Sequence, residues 1–466
     1  MSQQIKFGTD GWRGIIAQDY TLENLDRVVT ACSKWLKKKS PNPSLVIGYD
    51  CRFGGELFTN RCAEVFASNG IKVYVPFRYA STPMVSFATN RLKADMGIVI
   101  TASHNPPLYN GFKIKGPHGG PASEELTKEV EALIETTQEL NTKSFKQYTD
   151  EGKIIKTDLE DMYLKHIEAN FDLNSINNST MKLAYDGMFG AGQGVFKKIL
   201  RNVEMIHCEI NPYFNGTPPE PLLKNLKELQ ALVINKKLDS GLATDGDADR
   251  LGMFDEKGRF VSSHHIIALL IHYLHKYKGL DGKVCTAFSS SSRIAKLCKH
   301  YGLSLDIVKI GFKYICQIMI HEKVMVGGEE SGGIAITGHV PERDGIFIGL
   351  TLWEFMAKTG RSLSSLIDEV YEITGPFSVE RNDLHLQDEM KNKIVENCKN
   401  GKYTHFGSYK VEKVENLDGF KYHLGNEEWV MIRASGTEPL LRTYAESTTS
   451  EKAVEILRAT EKEILG

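Results

Sequence analysis

The sequence is poor in cysteine, has no excess of either charge and lacks any long apolar run, and each shortage removes a class of protein. Eight cysteines (Cys32, Cys51, Cys62, Cys208, Cys285, Cys298, Cys316 and Cys398) stand in 466 residues with no CxxC pair. They are expected to be reduced, mostly buried thiols. Fifty-seven Lys and Arg against 59 Asp and Glu leave a formal charge of −2, so no global field draws the chain to nucleic acid or anionic lipid. Any polyanion must be held locally. The longest apolar run, Ile266 to Tyr273, is interrupted by His272 and falls far short of the ~20 residues that span a bilayer. The opening MSQQIKFGTDGW lacks the apolar core of a signal peptide. There is no low-complexity tract and no exact internal repeat. A soluble cytoplasmic protein is expected, with 41% hydrophobic residues to supply the cores of two to four domains at ~100–200 residues each. Glycine is the informative excess: many of the 41 cluster with acids, bases and hydroxyls, as expected where backbone must approach a ligand closely.

Short strand-like runs recur at LVIGYD (45–50), IKVYVP (71–76), GIVITA (97–102), KLAYD (182–186), KVCTAF (283–288) and VMVGG (324–328). Helical periods lie between them. Leu22, Leu25, Val28, Val29, Cys32, Trp35 and Leu36 share one face, and Lys37 to Lys39 suit a helix C-terminus. This alternation predicts parallel sheets covered by helices, with functional loops at the carboxyl ends of strands. Breaks are expected in the polar, aperiodic stretch Glu135 to Lys156, near Asp255 to Gly258, and at the Gly-Pro of Tyr371 to Pro376. After 376 the pattern becomes alternating strand-like segments and one closing helix, Ser450 to Leu465. The expected architecture is three doubly wound α/β domains (1–150, 151–255 and 256–370) plus a smaller α+β domain (371–466).

Four loops carry chemistry. In TASHNPPLYNGFK, Ser103 follows the strand GIVI, and Lys113 comes ten residues later behind a glycine. Alone, such a serine is an ordinary turn residue bonded to its own backbone. A lysine partly desolvated near other cations, however, can have its pKa lowered enough to accept a proton. In TDGDADR, Asp245, Asp247 and Asp249 alternate along an extended loop and face one way. Three like charges so close call for a divalent cation. An EF-hand is the rival, since Glu256 falls at its twelfth position, but Arg250 replaces the required glycine and a strand-like run follows. A hard cation with few protein carboxylates reads as magnesium. In VGGEESGG, carboxylates and a hydroxyl on freely approaching backbone suit the adjacent hydroxyls of a sugar; a tight strand-helix connection is the alternative. In RASGTEP, Arg433, two hydroxyls and glycine-freed amides make the donor set for a phosphate dianion.

In this order the four loops resemble those of the α-D-phosphohexomutase superfamily over essentially the whole chain: the phosphoserine, magnesium, sugar-binding and phosphate-binding loops. The resemblance implies four domains around a central cleft, with Ser103 as the phosphoserine. Asp245, Asp247 and Asp249, joined by an oxygen on Ser103, would be the magnesium ligands. It makes Lys113 the general base, sets His104 and Arg250 near the phosphoryl group, and carries Arg13 of GTDGWRG over as an active-site arginine. Glu329 and Ser331 would hold sugar hydroxyls, and Arg433, Ser435, Gly436 and Thr437 the distal phosphate. Lys309 and His339, in VKIG and GHVPERDG, would make further substrate contacts.

The implied activity is a phosphohexomutase that interconverts hexose 1-phosphate and hexose 6-phosphate through a hexose 1,6-bisphosphate, which also serves as activator. GEESGG differs from the GEQSG common in phosphoglucosamine mutases and from the GEMSG of dual phosphomannomutase/phosphoglucomutases. Glucose and mannose differ only at C2, whereas Glu329 and Ser331 are expected at O3 and O4, so this loop does not choose between them. Glucose phosphates are the expected substrate, with mannose phosphates next. A non-catalytic phosphosugar-binding protein is the remote alternative, against which the intact Ser103, Lys113 and three aspartates argue.

Overall fold

The computed structural model describes residues 5–8, 11–136, 140–434 and 440–466. Its sheets repeat one plan. In the first, the strand Ser44–Tyr49 lies between Lys72–Pro76 and Met96–Ile100, all parallel, and Tyr109–Lys115 then pairs antiparallel with Met96–Ile100. The second sheet repeats this order with Leu183–Asp186 between Val203–Ile206 and Ser240–Thr244, followed by antiparallel Leu251–Asp255. The third has Lys283–Ala287 between Leu305–Val308 and Val324–Gly328, followed by antiparallel Ile334–Ile336. The sheets are therefore mixed rather than parallel. In each, the strand before a chemistry-bearing loop is parallel and the strand after it returns antiparallel, so the loop is a hairpin tip at the sheet's carboxyl edge. The absence of an exact sequence repeat conceals this structural one.

The fourth sheet is antiparallel throughout, from Ser378–His385 through Leu440–Ser447, Glu428–Ala434 and Phe420–Gly425 to Lys413–Glu415. The architecture is thus three α/β units and a smaller α+β unit. A helix over Ser450–Leu465 closes the chain as expected, capped by the Thr449 hydroxyl. A second helix, Asp388–Lys399, is present where only strands were expected. Its buried face is narrow, Ile394 and Cys398 at i, i+4, and four charged residues in its first six positions dilute the period.

The later part of the polar stretch where a break was expected, from residue 145 on, is also structured. A helix, Phe145–Asp150, starts at a capping box of Ser144 and Gln147, and the strand Ile154–Thr157 pairs with Lys72–Pro76. The first sheet thus continues past residue 150, just as Phe260–Val261 carries the second past 255.

The three α/β units share one continuous core, in which Val46 and Met84 of the first, Tyr185 and Leu242 of the second and Ile267 and Trp353 of the third are all buried. The helix Gly345–Thr359 runs through it, apolar on all sides over most of its length, and begins where Asp344 accepts from the amides of Ile346 and Phe347. The last unit has a separate core around Ile394, Tyr422 and Ile456. It docks on the third through Glu446, which is fully buried and accepts from Ser291, from the Ser292 amide and hydroxyl, and from the Trp429 indole. Among the described residues no helix is long and apolar enough to cross a membrane.

Candidate active site

The three hairpin tips meet. The tip after Ser240–Thr244 carries Asp245, Asp247 and Asp249, each with no exposed surface, and one oxygen of each lies within 4.8 Å of the others. Bare, that much charge would drive the loop apart. The neighbouring units supply the compensation. Lys113 of the first unit is 3% exposed and donates to Asp247 Oδ2 at 2.7 Å and Asp249 Oδ2 at 2.9 Å. Arg343 of the third unit reaches the same Asp249 oxygen at 2.7 Å. The Thr82 hydroxyl donates to Asp247 Oδ2 at 2.5 Å, and the Thr82 amide to the Asp247 carbonyl at 2.9 Å. Burial pushes all three carboxyls up. At Asp247 the combined pull of Lys113, the Thr82 hydroxyl and Arg343 overcomes burial, and at Asp249 that of Arg343, Lys113 and Arg250 does, so both end below the ordinary range; Asp245, facing two carboxylates, ends well above it.

Ser103 stands against this cluster. Its Oγ donates to Asp245 Oδ2 at 2.8 Å, its amide donates to the Thr101 hydroxyl at 2.8 Å, and its φ is +52°. A non-glycine residue held there costs ~1–3 kcal/mol and persists only where its surroundings impose it. The two loops touch backbone to backbone: a Cβ on Gly246 would lie 2.6 Å from the Ser103 carbonyl oxygen. Loops two and three are joined by a bridge between Arg250 and Gly333, and at Gly332 (φ +86°) a Cβ would meet the Leu251 carbonyl at 2.6 Å.

Around the serine, His104 Nδ1 lies 3.4 Å from Ser103 Oγ, and burial with Arg250 and Arg13 nearby holds its pKa well below the ordinary value. It is neutral at pH 7. Arg13 donates to Asn105 Oδ1 at 2.8 Å, and the Arg250 Nε is buried without a hydrogen-bond partner. The Lys113 environment differs in part from expectation. A second cation, Arg343, is close, but the direct partners are carboxylates because the strand Tyr109–Lys115 aims the side chain into the aspartates.

In the third tip, Glu329 is buried and accepts from the Gly311 amide at 2.7 Å; burial and the neighbouring Glu330 push its carboxyl up to about 7. Ser331 is half-buried. The segment that supplies Gly311 also brings Lys309, exposed, to the fourth unit, where the Ile310 amide donates to Asp418 at 2.9 Å and Arg433 lies 3.3 Å from the same carboxylate. Ser435, Gly436 and Thr437 fall outside the described residues. His339 is elsewhere: its ring packs between His166 and Phe347, with Nδ1 2.9 Å from His166 Nε2 and Nε2 3.1 Å from Asp344.

Four domain models match in order: phosphoglucomutase/phosphomannomutase alpha/beta/alpha domain I over residues 4–141, domain II over 161–258, domain III over 262–373 and the C-terminal domain over 391–464. The chain belongs to the phosphoglucomutase/phosphomannomutase family. It is 31% identical to the phosphoglucomutase/phosphomannomutase of Thermococcus kodakarensis over 97% of this chain and 96% of that one. It is 30% identical to the phosphoglucosamine/phosphogalactosamine mutase of Sulfurisphaera tokodaii over 99% of both. A crystal structure from Thermus thermophilus, provisionally described as a phosphomannomutase, matches all of both chains with a TM-score of 0.89 at 32% identity. Membership makes the chain an isomerase working by intramolecular phosphoryl transfer.

Within this family frame, residues not singled out from sequence prove structurally central: Thr82 and Arg343 on the aspartates, and Arg52, which binds the Ser103 loop. Arg52 follows a strand's carboxyl end, the same signal that located the other loops.

The cluster fits a divalent cation. Asp247 Oδ1 and Asp249 Oδ1 are buried and accept no hydrogen bond, and a hard cation prefers such carboxylate oxygens. Magnesium added to metal-free protein is therefore expected to raise its unfolding midpoint, by mass action ~2.7 kcal/mol at a hundred times Kd. Asp247→Asn should sharply reduce that shift in calorimetry; an undiminished shift would place the cation elsewhere.

Proposed function

We propose that the chain is a phosphohexomutase in which Ser103 carries the transferred phosphate and the aspartates hold magnesium, most readily with glucose 1-phosphate and glucose 6-phosphate. The observation that supports it is the placement of Ser103 Oγ, 2.8 Å from Asp245 in a loop with left-handed backbone, beside carboxylate oxygens that lack a partner. Magnesium would be held by Asp245, Asp247, Asp249 and an oxygen on Ser103, and would supply charge neutralisation to the phosphoryl group. The chain's own groups do the rest. Arg250 and Arg13 face the phosphoryl group with positive charge, and neutral His104 beside Ser103 Oγ offers a hydrogen bond without adding charge. The Ser103–phosphate bond breaks as the free hydroxyl of a hexose monophosphate attacks in line; Lys113, which as an ammonium pairs with the aspartates, would act here as the neutral amine once their charge is taken over by magnesium, and takes that hydroxyl's proton. The hexose 1,6-bisphosphate turns end for end. Its other phosphoryl group returns to Ser103, Lys113 gives its proton back to the oxygen released, and the positional isomer leaves. A bisphosphate that escapes before turning leaves an unphosphorylated enzyme, so added hexose 1,6-bisphosphate would act as activator.

Glu329 and Ser331 would hold O3 and O4 of the sugar. Lys309, next to the Ile310 amide that donates to Asp418, and Arg433, beside the same carboxylate, would hold the phosphate that is not reacting, together with Ser435, Gly436 and Thr437. His339 would serve by packing rather than by touching substrate, given its two ring contacts. Eight free cysteines, seven of them buried, suit a cytoplasmic setting.

Assay with glucose 1-, mannose 1-, glucosamine 1- and galactose 1-phosphate, with magnesium and the matching bisphosphate, tests this. Glucose and mannose phosphates are expected to share similar KM values and galactose 1-phosphate, the 4-epimer, to bind poorly. Turnover of glucosamine 1-phosphate alone would reassign the substrate, and turnover of none would refute the function. The Glu329 carboxyl gives a sign to the pH profile. A group raised to about 7 becomes a carboxylate as pH rises through neutrality, and only the carboxylate accepts from two sugar hydroxyls. KM should fall as pH rises through about 7, and Glu329→Gln should remove that component while retaining the substrate phosphate's own titration. A profile unchanged by the substitution would contradict the assignment.

A further inference from the structure

The loop that carries Ser103 is held from beneath by a side chain that touches none of the reacting groups. Arg52 follows the strand Ser44–Tyr49, and its side chain is fully buried. Its Nη2 donates to the carbonyls of Ser103 at 2.5 Å and Asn105 at 2.6 Å; its Nη1 donates to those of Pro106 at 2.9 Å and Tyr109 at 3.2 Å. Nε is turned to Asp50 Oδ2 at 3.2 Å. Three of these carbonyls belong to the one loop and the fourth, that of Tyr109, to the first residue of the strand that leaves it. On the other side, Asp50 Oδ2 accepts from the Thr101 hydroxyl at 2.6 Å, and the same hydroxyl accepts from the Ser103 amide at 2.8 Å. The Ser103 residue is thus gripped at its carbonyl by Arg52 and at its amide through Thr101, both anchored on Asp50. The guanidinium face is covered by Phe214 of the second unit, 4.9 Å from the ring centre.

We infer that Arg52 is a positioning residue for phosphoryl transfer: with Asp50 and Thr101 it imposes the left-handed backbone at Ser103 that aims Oγ at the aspartates. This rests on the phosphohexomutase reading above. An ordinary core ion pair would satisfy an arginine with one carboxylate; here the fork is spent on three carbonyls of a single hairpin tip and that of the first residue of its returning strand. A relaxed φ at Ser103 would rotate Oγ away from Asp245, and would move the carbonyl that lies against Gly246. Because Phe214 closes the guanidinium face, the grip is complete only when the first two units are docked. A lysine cannot reproduce it, since an ammonium is a point donor without the planar fork.

The test compares Arg52→Lys with the pair Thr101→Val and Thr101→Ser, using kcat, KM and thermal unfolding on each preparation. Arg52→Lys is expected to keep KM within about threefold and to lose on the order of 100-fold in kcat per folded molecule, the scale of an ångström-sized misplacement. Thr101→Val preserves shape but removes the hydroxyl, and should lose kcat with little change in KM; Thr101→Ser should restore it. If Arg52→Lys does not fold, the threonine pair decides alone. Values of kcat within threefold of the parent in the folded variants, or losses that follow only the loss of folded protein, would overturn the inference. A parent protein that converts no hexose phosphate would instead overturn the function, so the two failures are distinct.

Discussion

Three carboxylates with no exposure to water, packed within 4.8 Å of one another, set the terms on which the rest of the structure is built. An interior of low dielectric tolerates such charge only when cations and donors close around it. The second unit's loop contains none that suffice. Lys113 and Thr82 come from the first unit and Arg343 from the third, so satisfying the aspartates and docking the three units are one event. The continuous core beneath the loops agrees with this: parts of the first three units share apolar packing, whereas the fourth has its own core and meets the third in a small cluster of Phe288, Trp429, Met431 and Tyr444.

A second constraint decides which atoms reach the cluster. Each of the first three sheets presents a loop where a parallel strand hands over to an antiparallel one, and each tip contains a residue at positive φ: Ser103, Ala248 and Gly332. Tight reversals there throw side chains or backbone outward at the sheet's carboxyl edge, the usual place for ligand chemistry in such sheets. Only in the third is the reversing residue a glycine. In the first it is the serine itself, and the surrounding hydrogen bonds must impose what glycine would have allowed freely.

How far this was legible in the sequence follows from the range of each signal. The strand runs at 45–50, 97–102 and 324–328 and the closing helix emerged nearly as read, because short apolar runs and a long amphipathic period are local. The three aspartates were legible as a cation site from their residue type and spacing, whereas Ser103, alone an ordinary turn residue, was singled out by the resemblance its loop carries. What escaped was non-local or weakly periodic. The helix Asp388–Lys399 buries too few residues to show a period, and the capping box at Ser144 marks a helix of six residues. Arg343 lay in a segment already noted, yet nothing in GHVPERDG indicates that its partner is Asp249, far away in sequence. For His339 the same segment suggested substrate; its ring stacks on His166 and Phe347, with Nδ1 2.9 Å from His166 and Nε2 3.1 Å from Asp344, neighbours that the sequence does not show. Antiparallel return strands were hidden because a buried strand reads alike in either direction.

The central claim, that the aspartate cluster exists to serve a phosphorylated Ser103, is tested most directly by peptide mapping of the protein after exposure to glucose 1,6-bisphosphate and magnesium. The account predicts a single phosphate, located on Ser103, that is lost to unlabelled hexose monophosphate in a chase. A phosphate found on another residue, or an active protein in which Ser103 stays unmodified throughout turnover, would contradict it.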